Sequence, residues 1–258
     1  MTMLTLETRA NVLVATLNRN LQNTIDGALA DAIEHALTES ERLGAAALHL
    51  RTATAHFCGG ADPARVAQWL GERGGEALRG DGDRWDRLFR RIERSPTIAF
   101  AEVKGNALGA GLGLALACDL RMLSASSRIG APEVRVGLLP AGRTVDRLVG
   151  LAGTVVAQRL LLGGDLVDGL EAHRLGLAHW IAPDNELEDR AAATVARIAE
   201  QSPIALREAK RLLAAVHRRG ADDSADVEIA AFDHLIHSHE ARERIRALLE
   251  RLAKREPK

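Results

Sequence analysis

The chain changes character partway along its length. Up to about residue 140, short apolar or β-branched runs alternate with segments of helical period, and beyond it almost every apolar pattern is helical. TLETRA and NVLVATLN read as two strands, Asp26 to about Leu43 as a helix with Leu29, Ile33 and Leu37 four apart, and AAALHLR as a short buried strand. Asp62-Pro63 pairs a capping side chain with the residue best preset for a first helical turn, so PARVAQWL is predicted to be a helix. Gly71 to Gly82 is glycine-rich and charged, which predicts a surface loop before the helix RWDRLFRRIE. TIAFAEVKG reads as a strand running into NALGAGLGLALA, whose small residues suit a buried helix, and Asp119 to Pro140 as strand-like, with turns at Ser124 to Ser127 and near Pro132. TVVAQRLLL, DGLEAHRLG, LEDRAAATVARIAE, PIALREAKRLLAAV and the stretches through ADVEIAAF to HEARERIRALLERL are helical by period, with LAHWIA as one late strand. Alternation followed by a run of helices predicts an α/β core with a helical C-terminal part.

Composition narrows the function classes. With 258 residues, 47% of them hydrophobic and 27% charged, the chain can bury a sizeable core as one domain, or as one domain with a helical appendage. Lys and Arg number 34 against 35 Asp and Glu, so no global field draws in nucleic acid or an anionic membrane. Tyrosine is absent, which leaves few rings to stack on bases. Cys58 and Cys118 lie far apart and are too few for a disulfide framework or a zinc ribbon. A reducing cytoplasm fits best. MTMLTLETRA lacks the order of a signal peptide, and no apolar run is long enough for a bilayer.

Two glycine-rich turns carry the chemistry, FCGGADP at 57–63 and GNALGAGLG at 105–113. Each is read as joining a strand to a helix start, where free N–H groups point outward and the helix dipole favours negative charge. Two such turns side by side would cradle one developing oxyanion, with glycine letting the backbone come close. A dinucleotide site is the competing reading of the second turn. Its glycines run G-x-G-x-G at Gly109, Gly111 and Gly113 rather than G-x-G-x-x-G, and the turn lies mid-chain.

Glu133 in RIGAPEVRVGLLP follows a proline inside an apolar stretch, where burial would raise its pKa toward that of a working base. The plainer alternative is a strand-end glutamate paired with Arg135 or Arg128. His234, His237 and His239 have a spacing that could ligate a metal, but Ser238 reads as an N-cap dividing two helices, and no metal is expected. His56 borders the first turn, as either a pocket-lining or a surface residue. Arg84, Arg87, Arg90, Arg91 and Arg94 form a basic helix face, read as solvated surface, although some of them, with Lys210 and Arg211, could meet phosphates of a ligand.

The order of these features resembles the enoyl-CoA hydratase/isomerase (crotonase) family: F-x-x-G-A-D at 57–62, G-x-A-L-G-x-G at 105–111, C-D-L-R at 118–121 and P-E-x-x-x-G-L-L-P at 132–140, with weaker likeness at LNR 17–19, SPIALREAK 202–210 and HEARERIRALLE. The resemblance implies a crotonase-like spiral of repeated ββα units over 1–195 holding an acyl-CoA site, and a helical trimerisation region over 196–258, in a homotrimer or a dimer of trimers. It implies that the N–H groups of Ala61 and Ala110 form the oxyanion hole and that Glu133 is the catalytic glutamate. Asn23, Gly60 and Gly109 are then the expected thioester-binding positions, Asn23 standing in a turn that matches the family's CoA-side turn loosely. No separate cofactor is implied, because coenzyme A is part of the substrate. Gly113 occupies the position of the second glutamate that hydratases use, and Arg143 stands where small residues usually follow the L-P turn.

One glutamate can carry a proton between two carbons, whereas syn hydration is better served by two carboxylates on one water. The expected activity is therefore isomerisation of a 3-enoyl-CoA to a 2-enoyl-CoA. The alternatives are a hydratase, decarboxylase or lyase of the same enolate chemistry, or a non-catalytic acyl-CoA-binding member.

Overall fold

The computed structural model describes residues 3–69 and 73–219, together with residues 239 and 243. The chain divides into two compact units, Met1–Ile198 and Ala199–Lys258.

The first unit holds two sheets. A six-stranded sheet has the order β1 (Leu4–Arg9), β2 (Val12–Leu17), β3 (Ala47–Thr52), β4 (Ile98–Val103), β6 (Leu120–Ser124), β9 (Trp180–Ala182). Only β1 and β2 run antiparallel; every later pair is parallel, as crossover connections require. A three-stranded sheet has β7 (Arg128–Gly130) between β5 (Asn106–Leu108), parallel to it, and β8 (Leu166–Asp168), antiparallel.

The inner strands show why an all-apolar run becomes a strand. Every residue of β4 is buried, so both faces of the sheet are covered. Ala99, Ala101 and Val103 enter the main core with Leu29, Ile33 and Leu37 of α1 (Gly27–Arg42). α1 starts where Asp26 accepts a bond from the Leu29 N–H (2.9 Å), a cap that contributes about 1 kcal/mol. On the opposite face of β3 and β4, His49 Nε2 lies 2.9 Å from Glu102 Oε2, and the His49 ring meets Phe100 edge-on.

Further helices are α2 (Pro63–Trp69), α3 (Gly74–Arg94), α4 (Ala110–Ala117), α5 (Thr144–Leu162, interrupted at Gly153), α6 (Gly169–Arg174) and α7 (Leu187–Ala199). In the second unit, α8 (Pro203–Arg219) starts with proline in its first turn, and the Ser202 hydroxyl accepts from the Ala205 N–H.

Three expectations are corrected. The glycine-rich stretch read as a loop is helical from Gly74, because its Asp81 is a tertiary anchor: the buried carboxylate accepts two bonds from Arg65 (2.9 Å each) and one from Trp69 Nε1 (3.0 Å). That anchorage outweighs a propensity cost of about 1 kcal/mol per glycine. The segment after β7 is a 3₁₀ helix, Pro132–Val136, not a strand-like stretch. A second late strand, β8, exists besides Trp180–Ala182; at three residues it is too short to show a period. The helix expected in ADVEIAAF, most of that expected in HEARERIRALLERL, and His234, His237 and Ser238 lie outside the described residues; His239 is helical and exposed.

Candidate active site

The two glycine turns are bonded to each other through their backbones. The Phe57 N–H donates to Lys104 O (2.8 Å), Cys58 N–H to Asn106 O (3.0 Å) and Leu108 N–H to Cys58 O (3.1 Å). The side chain that glycine lacks is what permits this approach. A Cβ on Gly60 would sit 3.0 Å from Leu108 O, and one on Gly111 would collide with the Cys58 carbonyl. His56 adds a tie, its Nδ1 accepting from the Asn106 N–H (3.0 Å), so the half-buried ring braces the two turns. Cys58 is sealed inside, and burial pushes its thiol up to about 11, too high for a thiolate nucleophile at neutral pH.

Ala61 lies in an isolated parallel bridge with Ile25. The Ile25 N–H donates to Gly60 O (2.8 Å) and its carbonyl accepts from the Asp62 N–H (3.0 Å). Those bonds flank Ala61 and leave its own N–H pointing away from Ile25. Ala110 is the first residue of α4, where no helical acceptor exists for an N–H. The preceding N–H, of Gly109, is taken by Gly130 O (2.9 Å). The register Leu108↔Gly130 therefore fixes the start of α4 against β7, the strand that leads into Glu133.

Arg19 holds the first turn from outside. Its Nη2 lies 2.7 Å from Asp26 and 3.0 Å from Asp62, and another donor reaches Thr24 O. Asp62 also accepts from the Thr24 hydroxyl (2.8 Å) and the Ala64 N–H (2.9 Å). Burial alone would raise its pKa, but those bonds and the Arg19 charge outweigh it, and Asp62 is held below the ordinary carboxylate range. Asn23 is fully buried, with a left-handed φ of 45°. Its amide donates to Thr52, Thr54 and His56 O, and its oxygen accepts from the Arg19 N–H. Its side chain is spent within the protein.

Glu133 meets the second turn. A Cβ on Gly109 would overlap Glu133 Oε1, while Oε2 is buried with no hydrogen-bond partner among the described residues. The pairing with Arg135 or Arg128 is thus not formed. Burial in this apolar spot pushes the carboxyl above its ordinary range, with only a bond to its own backbone opposing the shift.

The space beside Gly113 is filled. A Cβ there would lie 2.5 Å from Thr144 Oγ1 and 2.9 Å from Phe89 Cε2. The Thr144 hydroxyl donates to Ala141 O (2.8 Å), and Arg147 lies over the Phe89 ring. Arg143 takes a left-handed φ of 54° as the N-cap of α5 and pairs with Asp146 at 2.6 Å. Phe89 and Thr144 stand in no motif that would mark them from sequence, and Arg19 and Arg121 close the LNR and C-D-L-R motifs, whose spelling gives them no role. Their signal was a charged residue bordering an apolar run.

Of the basic face of α3, Arg84 pairs with Asp31 and Arg91 with Glu41, both on α1. Among the described residues no group of three or more His, Cys, Asp or Glu could hold a metal, and no helix is long and apolar enough to cross a membrane.

The chain is similar in sequence and in fold to several known proteins. A probable enoyl-CoA hydratase of Bacillus subtilis strain 168 is 30% identical over 242 residues, covering 93% of each chain. A putative enoyl-CoA hydratase of Thermus thermophilus is 37% identical over 165 residues, 64% of this chain and 65% of that one. Among solved structures, DspI of Pseudomonas aeruginosa superposes with a TM-score of 0.92 at 29% identity, over 100% of this chain and 97% of the other. An enoyl-CoA hydratase of Bacillus anthracis superposes with a TM-score of 0.90 at 26% identity, over 97% of each. The enoyl-CoA hydratase/isomerase description matches residues 7–256, and with two sheets joined by zipped glycine turns the chain belongs to that family, the crotonases.

Proposed function

We propose that this acyl-CoA enzyme works through a thioester enolate, with the thioester oxygen accepting from the Ala61 and Ala110 N–H groups and Glu133 moving a proton at the neighbouring carbon. The favoured reaction is conversion of a 3-enoyl-CoA to a 2-enoyl-CoA. The Glu133 carboxylate removes a proton from C2, and the electron pair spreads through the dienolate onto the thioester oxygen. Glu133 then returns the proton to C4, and the double bond settles between C2 and C3. Gly60 lets the first turn close on Leu108 O, Gly109 leaves room for the Glu133 carboxylate, and Asn23 fixes the loop that bridges to Ala61.

The observation that carries this reading is that, among the described residues at the two turns, Glu133 is the one carboxylate without a charged partner. Glu133 has an unpartnered buried oxygen, Asp62 is committed to Arg19, Thr24 and the start of α2, and the space at Gly113 is taken by Thr144 and Phe89. A second reading, hydration of a 2-enoyl-CoA, is favoured by the names of the relatives from B. subtilis and T. thermophilus. Incubation with saturated, 2-enoyl, 3-enoyl and malonyl-type CoA thioesters, following mass and double-bond position, separates the two. A 3-enoyl substrate that shifts its double bond at unchanged mass supports isomerisation; rapid gain of one water by a 2-enoyl substrate supports hydration instead. Loss of carbon dioxide would indicate a decarboxylase, and binding without turnover would remove the catalytic reading.

A further inference from the structure

Helix α4 is only eight residues long and buried throughout, so its last carbonyls need donors from within the protein. Arg121, at the start of β6 and 3% exposed, supplies them alongside the Cys118 N–H, which donates to Ala115 O (3.3 Å). Its Nη1 donates to Cys118 O (2.6 Å), Leu116 O (3.3 Å) and Ala115 O (3.4 Å), and its Nε to Leu177 O (2.9 Å). Its backbone N–H donates to His179 Nδ1 (3.1 Å) and its carbonyl accepts from the His179 N–H (3.0 Å), which pins both sides of the residue to the β9 segment. A buried cation therefore stands at the C-terminal end of the helix whose N-terminal end presents the Ala110 N–H.

The two ends are joined by a run of hydrogen bonds. The peptide unit of Ala115 O includes the Leu116 N–H, which bonds to Leu112 O by the helical pattern. The peptide unit of Leu112 O includes the Gly113 N–H, which donates to Gly109 O at 2.9 Å. Gly109 O belongs to the same peptide unit as the Ala110 N–H. Each bond in such a chain polarises the next.

We propose that Arg121 is a positioning residue for the oxyanion hole, holding α4 by its last carbonyls and strengthening the Ala110 N–H as a donor through this chain of peptide units. The inference rests on the reading that Ala61 and Ala110 bind the thioester oxygen. Its size follows from distance. A unit charge about 12 Å from a developing anion, at an effective dielectric of about 20, changes the rate by about tenfold.

The test uses the full-length protein, its Arg121→Gln and Arg121→Lys variants, and saturated acyl-CoA thioesters isotopically labelled at the carbonyl. Infrared difference spectra report how far the bound carbonyl is polarised, independently of turnover. In the wild type the stretch should move to lower frequency on binding. Arg121→Gln should bind with a dissociation constant within about twofold, show a smaller shift and lose about tenfold in kcat with KM little changed. Arg121→Lys keeps the charge and can reach at least one carbonyl, so it should fold and fall between the two. If Arg121→Gln fails to fold, Arg121→Lys against wild type carries the comparison, and a reduced shift with retained binding supports the inference. An absent shift, or absent binding, in the wild type overturns the oxyanion-hole reading itself. A normal wild-type shift that is undiminished in every folded variant overturns the role of Arg121 alone.

Discussion

Gly109 and Glu133 share one space: the position a Cβ would take on Gly109 is occupied by Glu133 Oε1. Gly109 also has a φ of 53°, where a side chain is strained. Gly109→Ala should therefore expel the glutamate from its position as well as strain the start of α4. The expected result is a loss of roughly 1–3 kcal/mol in stability, from strain and overpacking, together with loss of nearly all turnover. Retained activity would show that Glu133 works from another position.

Glu133→Gln keeps the shape of the side chain and removes its proton chemistry. Turnover should fall by about 10² or more while acyl-CoA binding and folding persist. Because burial raises the carboxyl's pKa, the active ionised form appears only above the ordinary carboxylate range, and the acid limb of kcat/KM should sit correspondingly high. The sign for stability is the opposite. The folded state holds this proton more tightly than the unfolded state does, so stability is lost as pH rises from the unfolded value through the raised one. Urea titrations should show Glu133→Gln gaining on the wild type across that window. An unchanged turnover number would remove Glu133 from the mechanism.

Much of this arrangement was legible in the sequence, because glycine spacing reports close backbone approach. FCGGADP and GNALGAGLG announced two turns, and Asp26 and Asp62-Pro63 announced two helix starts, all from local chemistry. What stayed hidden depends on distant partners. The helix over Gly74 to Gly82 needs Asp81 to receive Arg65 and Trp69, which no local pattern expresses. The 3₁₀ helix that aims Glu133 depends on Gly130 being fixed to Gly109 across β5 and β7. Phe89 and Thr144, which fill the space at Gly113, come from two separate helices.

Several large apolar residues stay exposed in the single chain. Val136, Leu139, Val155 and Leu162 are 74 to 79% exposed, and Val145 and Val149 are also uncovered on α5. Such a surface favours self-association. Sedimentation at micromolar concentration should give a trimer or hexamer, and a stable monomer would count against the proposed assembly.

His179 accepts from the Arg121 N–H through Nδ1, a bond that requires that nitrogen to be unprotonated. Burial, and then the Arg121 charge, pull its pKa down to about 4 despite that bond. The unfolded state therefore binds its proton first, and stability should be lost as pH falls from about 6.5 toward 4. His179→Asn, which offers an acceptor without a titrating ring, should flatten that part of the stability profile in urea titrations. A profile as steep as that of the wild type would exclude His179 as its source.

The last prediction concerns Gly113. Hydratase chemistry with two carboxylates would require a side chain there, but its first carbon would already lie 2.5 Å from Thr144 Oγ1 and 2.9 Å from Phe89. Thr144 is fully buried and bonded to Ala141 O, and Phe89 is fully buried beneath Arg147, so neither moves without disturbing the packing of α3 on α5. Gly113→Ala should cost about 1–3 kcal/mol, the ordinary penalty for overpacking, seen as a lower denaturation midpoint with an unchanged slope. Gly113→Glu should cost more and bring no gain in water addition to a 2-enoyl-CoA. A well-folded Gly113→Glu variant with faster hydration would show that Phe89 and Thr144 yield easily, and that the missing carboxylate alone separates this site from a two-carboxylate hydratase.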